Sequence, residues 1–309
     1  MQDLFSVTVL IGILASGIRL ATPYLYAAIG ETFSQRSGVL NLGAEGQMLL
    51  GAFAAFYVSL RTGNLWLGLL TAMLVGAVMG LAMAYVTVNL QAQQGISGIG
   101  FYLFGLGMSD LLFQKLMPTV ETIRGFPRIY IPGLSDIPGI GEIFFSQNIL
   151  VYSAYLLVPV AWFVLNKTTL GLKIRAVGEN PDAADSLGVS VARVRYFTII
   201  LGGTLSGIAG ASLSIALLNV FQQNMTSGAG FIAVALVYFG AWRPIGVLGG
   251  ALLFSMVNAL QLWVQVLNIP IEPEIAVMMP YVLTILVLVA TVSRVRAPSA
   301  LTKPFEREN

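Results

Sequence analysis

Cysteine and histidine are absent from this chain, and charge is scarce: only 10% of its 309 residues are Asp, Glu, Lys or Arg. Without cysteine there is no disulfide framework, no thiolate ligand and no thiol nucleophile; without histidine the usual general base and the commonest metal ligand are gone. No catalytic residue set and no metal site is therefore expected. About a quarter of residues carry charge in an ordinary soluble domain. The shortage here, with 57% hydrophobic residues and a mean hydropathy of +0.83, describes an integral membrane protein, all-α in class. A Gly-x-x-x-x-Gly-Lys-Ser/Thr phosphate loop is also missing, so a nucleotide that drives work has to be bound by another chain. No linker, charge block or low-complexity tract interrupts the chain, and residues 1–309 read as a single transmembrane domain. No charged n-region and small-residue cleavage site precede the first apolar run, which is expected to remain as a span.

A hydrocarbon core about 30 Å thick needs ~20 helical residues. Residues 5–29, 65–90, 143–165, 196–219 and 245–267 meet that length easily, and 96–113 and 275–292 are adequate. Two runs are short: 47–60 and 230–242 each cover only ~20 Å at 1.5 Å per residue. The expectation is a polytopic helix bundle of about nine spans, two of them short or broken. If the amino terminus is outside and all nine cross, eleven basic residues fall inside: Arg36, Lys167, Lys173, Arg175, Arg193, Arg195, Arg243, Arg294, Arg296, Lys303 and Arg307. Four fall outside, Arg61, Lys115, Arg124 and Arg128, and Arg19 lies within a span. That asymmetry is what the positive-inside rule asks for. The central segment 166–195 and the tail 293–309 are both basic, so an even number of crossings must separate them, and 230–242 is needed to make four. The outer segment 114–142, with Pro118, Pro127, Pro132 and Pro138, reads as an ordered surface connection.

Three sets of residues carry the functional reading. The stretch from Arg36 to Gln47 must feed a span that is too short, which draws Asn41, Glu45 and Gln47 to or below the membrane surface, while Gly38, Gly43 and Gly46 permit a helix break. It reads either as a wall of a permeation path or as a cytoplasmic loop with a capping carboxylate. Asn219, Asn258 and Gln261 place amides on apolar helices, for contact with a polar solute or for bonds between helices. Arg19 is expected to snorkel or to pair with a carboxylate such as Glu31 or Glu45, and Asp110 to reach water near a span end. Ser37-Gly38 and Ser227-Gly228 stand before the two short spans as a weak internal echo, and paired broken helices are one way transporters build a central site. The third set lies in 166–195. Asn180 can cap a helix, Pro181 suits its first position, Asp182 and Asp185 complement its positive end, and Gly188 can close it. A short exposed helix on the cytoplasmic side is a handle for a soluble partner.

The run Gly171-Leu-Lys-Ile-Arg-Ala-Val-Gly-Glu-Asn-Pro-Asp-Ala-Ala, with Leu187-Gly188-Val189 and Gly207-Ile208-Ala209-Gly210, resembles the cytoplasmic coupling segment of ABC-importer permeases that serve simple sugars, nucleosides and branched-chain amino acids. Ser37-Gly38-Val39-Leu40-Asn41-Leu42-Gly43-Ala44-Glu45-Gly46 is similar to the form found in nucleoside-type members, where ribose-type members tend to carry Asp-Leu-Ser. The resemblance implies a non-catalytic permease subunit in a prokaryotic plasma (inner) membrane, for nucleosides or, as the second choice, simple sugars. It implies cytoplasmic ATPase subunits that bind the ATP, a second homologous permease, and an extracytoplasmic binding protein or lipoprotein; no nucleic-acid partner is expected. On the residues that match, Gly171, Arg175, Ala176, Gly178, Asn180, Pro181, Ala183, Ala184 and Gly188 are expected to couple to the ATPase. Asn41, Glu45, Gln47, Asn219, Asn258 and Gln261 are the candidates along the path. An ion-coupled secondary transporter is the alternative outside this family; it would want a buried carboxylate relay, for which only Glu45 and Asp110 stand out. The first span begins close to residue 1, which implies one helix fewer than in the longer sugar-type relatives.

Overall fold

A computed structural model describes residues 7–117, 119, 121–267, 272–291 and 296–306. Among these residues the chain is helical throughout, with two isolated β-bridges, Thr122 with Val220 and Arg128 with Asn148. In chain order the helices are α1 (Val7–Arg36), α2 (Ala44–Thr62), α3 (Leu65–Ala84), α4 (Gln94–Leu116), α5 (Ile140–Phe144), α6 (Ile149–Lys167), α7 (Thr169–Glu179), α8 (Pro181–Ser186), α9 (Val191–Ser212), α10 (Ala229–Phe239), α11 (Pro244–Val266) and α12 (Pro273–Thr291). A π-helical turn extends α3 through Tyr85–Asn89 and another extends α9 through Leu213–Leu217.

Among the described residues, every apolar run foreseen in the sequence is built around a helix. Six helices, α1, α3, α4, α6, α9 and α11, are long and apolar enough to cross a membrane. Of the remaining three, α2 has 19 residues but opens on Glu45 and Gln47, α10 has 11 residues, and α12 has 19. Small residues set the packing distances. Gly76 and Gly80 of α3 lie against Gly203 of α9, and Gly51 of α2 against Gly207, so a methyl group at any of these would strike the facing backbone. These close approaches put α9 at the centre, with 67% of its most apolar stretch buried, and leave α4 at the rim with 17%.

The connections gather at two ends. At the basic end Arg36 Nε donates to the Trp242 carbonyl (2.9 Å), the Ala300 amide to Gly178 (2.9 Å), and the Thr302 amide to Gly38 (3.1 Å). At the opposite end the Ile123 amide donates to Asn219 (3.1 Å), that of Phe126 to Ile215 (3.1 Å), and that of Ile129 to Gln147 (2.9 Å). The segment after α4 is thus tied down at Ile123, Phe126 and Ile129.

Several boundaries differ from those expected. α1 runs on to Arg36 instead of ending at residue 29, because Glu31 and Gln35, four apart, bond to each other inside the bundle (3.0 Å). α6 starts at Ile149 and not at residue 143: Asn148 caps it by accepting from the Val151 amide (3.0 Å), and Ile143 belongs to the separate short helix α5. α9 starts at Val191, so Arg193 and Arg195 are helical and not part of a loop. Arg195 is only 2% exposed and donates to the carbonyls of Ser37 (3.3 Å) and Lys303 (3.1 Å), which folds the 37–40 turn and the tail over it. Arg19 pairs with neither Glu31 nor Glu45; it donates to Ser16 Oγ (3.4 Å), and the charge acting on it is that of Arg128 at the opposite end. Arg294 and Arg307 of the tail lie outside the described residues.

Candidate functional site

Glu45 begins where α2 begins, and its carboxyl group meets the start of α10. Oε1 accepts from the Thr226 hydroxyl (2.5 Å) and the Gly228 amide (2.8 Å), and Oε2 accepts from the Gly230 amide (2.5 Å). The local sequence explains the geometry. Gly228 holds φ at +88°, a left-handed conformation that turns the backbone into α10, and a methyl on Gly230 would collide with the Glu45 backbone. The amides at the start of a helix carry partial positive charge and have no partner within the helix, so a carboxylate there satisfies them. The residue is 1% exposed. Its neighbour Gly46 lies against Phe101, Tyr102 and Gly105 of α4, seven to eleven residues in from Gln94. At 1.5 Å per residue this sets the clasp ~10–16 Å inside the basic end.

The backbone is irregular on both sides of that point. Residues 37–43 lead from the basic end up to α2, and 218–228 lead from the opposite end, where Asn219 is bonded, to the clasp. A hydrogen-bonded chain runs back toward the basic end. Gln47 Oε1 accepts from Asn41 Nδ2 (3.1 Å), the Asn41 amide donates to Glu31 Oε1 (2.9 Å), Gln35 Nε2 donates to the same oxygen (3.0 Å), and Gln35 Oε1 accepts from Trp242 Nε1 (2.7 Å). All four polar side chains are buried at 2% exposure or less. Gln47 Nε2 and Glu31 Oε2 have no hydrogen-bond partner among the described residues. Tyr24 of α1 lies within reach of the Glu45 charge, and its hydroxyl is beside Asn258 of α11.

At the basic end, α7 and α8 form an angled pair. α7 is amphipathic, burying Gly171, Ile174, Val177 and Gly178 at helical spacing. Gly171 sits where a side chain would strike the α6 carbonyls of Val164 and Leu165, and Gly178 where one would strike the Arg36 carbonyl. Ala176 also packs inward. Asn180 ends α7 and caps α8, accepting from the Ala183 amide (3.0 Å); Pro181 is the first residue of α8, and Gly188 closes it at φ +82°. Ala184 faces the core at 3% exposure, while Ala183 is exposed and Leu187, just beyond, is 83% exposed. A groove of about 240 Å³ lies between α8 and the tail, edged by Asp182, Lys303 and Phe305. The pair thus presents a polar rim with exposed leucines, Leu172 on α7 and Leu187 just past α8, to whatever adjoins this end.

Of the residues singled out for a path, Asn41, Glu45 and Gln47 come together, and Asn258 lies beside Tyr24 with Gln261 one turn along α11. Asn219 does not join them; it sits at the opposite end beside Gly125, with φ of +57°. Asp110 lies on the rim helix α4 and takes no part. Sequence reasoning missed Gln35, Thr226 and Trp242, and took Glu31 only as a partner for Arg19. The i, i+4 spacing of Glu31 and Gln35 in a run without a helix breaker was a usable signal; Thr226 and Trp242 meet their partners across about 180 and 207 residues and left none.

Residues 13–288 match the family described as branched-chain amino acid transport system / permease component. The chain is 40% identical to a putative glucose ABC transporter permease protein of Haloferax volcanii, over 96% of this chain and 98% of that one. It is 37% identical to a guanosine ABC transporter permease protein of Bacillus subtilis, over 92% and 93%, and 36% identical to a nucleoside ABC transporter permease protein of Lactococcus lactis, over 93% and 94%. No solved structure matches the chain.

Proposed function

The chain belongs to the branched-chain amino acid transport system / permease component family, and from that premise we propose that it carries nucleosides through the inner membrane as the permease subunit of an ATP-driven importer. Simple sugars are the second solute class, favoured by the name of the Haloferax relative. ATP is bound and hydrolysed by partner ATPases in the cytoplasm, a second homologous permease completes the pore, and an extracytoplasmic binding protein delivers solute. The basic end is the cytoplasmic one. All nine apolar helices take part in crossings: the irregular residues 37–43 lengthen α2, and 218–228 lengthen α10, into two broken spans that meet at Glu45. The ion-coupled alternative lapses with family membership.

One observation carries the mechanism: α8 is a short, capped helix with Ala184 anchored, Ala183 and Leu187 bare, and its base tied to α1 and the tail through Gly178. Such a helix moves as a rigid body. ATP-driven closure of the ATPases would carry α8 with it and, through the Gly178 to Arg36 contact, shift α1 and the polar chain it holds, a two-state change biased by nucleotide. The test is ATPase stimulation by loaded binding protein in the reconstituted complex. Ala183→Asp should lower stimulation about tenfold, the equivalent of ~1.4 kcal/mol at the contact, with the permease still folded. Normal stimulation in that variant would defeat the assignment.

A further inference from the structure

Three arginines from three separate elements converge at the basic end. Arg36 is the last residue of α1, Arg175 lies in α7, and Arg243 precedes α11; together they line a cavity of about 720 Å³. Arg36 Nε is committed to the Trp242 carbonyl (2.9 Å), but Arg175 Nε is buried without a hydrogen-bond partner among the described residues. Among the charges acting on Arg36 the attraction of Glu179 is the largest, followed by the repulsions of Arg175 and Arg243, and no Asp or Glu is among the described residues that line the cavity itself. Guanidiniums lining one cavity repel, and an anion among them would offset that repulsion. The other wall is apolar and belongs to spans: Trp162 of α6 and Ile245 of α11 are 37% and 60% exposed. Trp162 stands five residues before Lys167, the end of its helix, at the depth where tryptophan collects between hydrocarbon and water.

We propose that this cavity is a binding site for the phosphate of an anionic membrane phospholipid, with the headgroup on the three guanidiniums and the acyl chains leaving past Trp162 and Ile245. A guanidinium fork matches two phosphate oxygens at once, and basic pockets between spans at the membrane face suit lipid headgroups. A free phosphate shares the headgroup chemistry but makes no use of the apolar exit. An acidic segment of a soluble partner would find that exit facing lipid. The lipid would brace the turn between α10 and α11 against α7, joining the clasp helix to the base of α8.

The test uses the full chain purified in mild detergent, with native mass spectrometry of retained phosphatidylglycerol and phosphatidylcholine and with inorganic phosphate as competitor. Phosphatidylglycerol should be retained in preference to phosphatidylcholine. Arg175→Gln and Arg243→Gln should each lower its retention about fivefold, while Arg193→Gln, which removes an exposed charge from the same end outside the cavity, should change nothing. If Arg175→Gln does not fold, Arg175→Lys keeps the charge without the fork and should still show a partial loss. Equal retention of phosphatidylcholine, an equal loss in Arg193→Gln, undiminished retention in the folded cavity variants, or full displacement of the lipid by millimolar phosphate would each overturn the proposal.

Discussion

Two charged centres of this permease stand in contrast. At the Glu45 clasp one carboxyl group receives three donors from the start of α10, all within the chain. At the Arg36, Arg175 and Arg243 cavity three arginines share one lining that holds no carboxylate among the described residues, and Glu179 is the one acidic group acting on Arg36. Burying a charge costs several kcal/mol unless it is paired and bonded. The first centre is therefore complete as it stands and holds the starts of α2 and α10 together; the second leaves Arg175 Nε without a partner among the described residues and has room for the anion proposed above. The difference separates what the bundle needs to fold from what it needs to sit and work in a membrane.

The strongest way to break the contrast is to empty the clasp. Glu45→Ala strands the Thr226 hydroxyl and two amides, and should destabilise the purified chain by about 3 kcal/mol in thermal or denaturant unfolding, with uptake abolished. A steric variant sharpens the point. Gly230→Ala pushes a methyl into the Glu45 backbone and should cost about 2 kcal/mol, whereas Gly249→Ala on α11, where the added carbon meets open space, should cost nothing and gain up to about 1 kcal/mol of helix propensity. Equal effects at the two glycines would remove the close approach of α10 and Glu45 from the explanation. Next comes the pair Ala183→Asp and Ala184→Asp on α8. The exposed position should leave the melting temperature unchanged and the buried one should lower it by several degrees, reflecting ~1–3 kcal/mol for an unpaired polar group.

The smallest effect belongs to the segment after α4. The Tyr130 hydroxyl and the Gly133 amide both donate to Asp136, holding its carboxyl below the usual range and the Tyr130 phenol above its own. A depressed carboxyl favours the folded loop above its unfolded pKa and ceases to do so as pH falls through the folded value; the raised phenol favours it until pH climbs past the ordinary tyrosine value. The protection of the Gly133 amide, its exchange rate taken relative to the intrinsic rate at each pH, should therefore be steady from about pH 5 to 9 and fall toward that of Asp136→Asn only below about pH 4 or above about pH 10.

Much of the bundle was legible because lipid asks one thing of a span, an apolar run of known length, and a helix stands at the heart of each such run among the described residues. The shortness of α10 was legible too, and with it the need for backbone other than helix beside it. Less was readable where polar residues turn inward. Arg195 follows Arg193 in a basic stretch, and composition assigns both to a loop; only the fold shows Arg195 bolted to Ser37 and Lys303, 158 and 108 residues away. α7 was written in the spacing of Gly171, Ile174 and Gly178, which a search tuned to strongly apolar runs passes over. Asn219 looked like its fellow amides, yet its positive φ and place by Gly125 make it part of a turn.

Because the chain has no cysteine, one can be placed at Ala183 as the sole thiol, and its position read directly. Ala183→Cys in intact cells should resist a membrane-impermeant maleimide, react with it in inverted vesicles, and crosslink to an ATPase subunit in a nucleotide-dependent way. Labelling from outside intact cells, or no crosslink to any ATPase in an active complex, would contradict the assignment of α8 as the element through which ATP hydrolysis moves the permease.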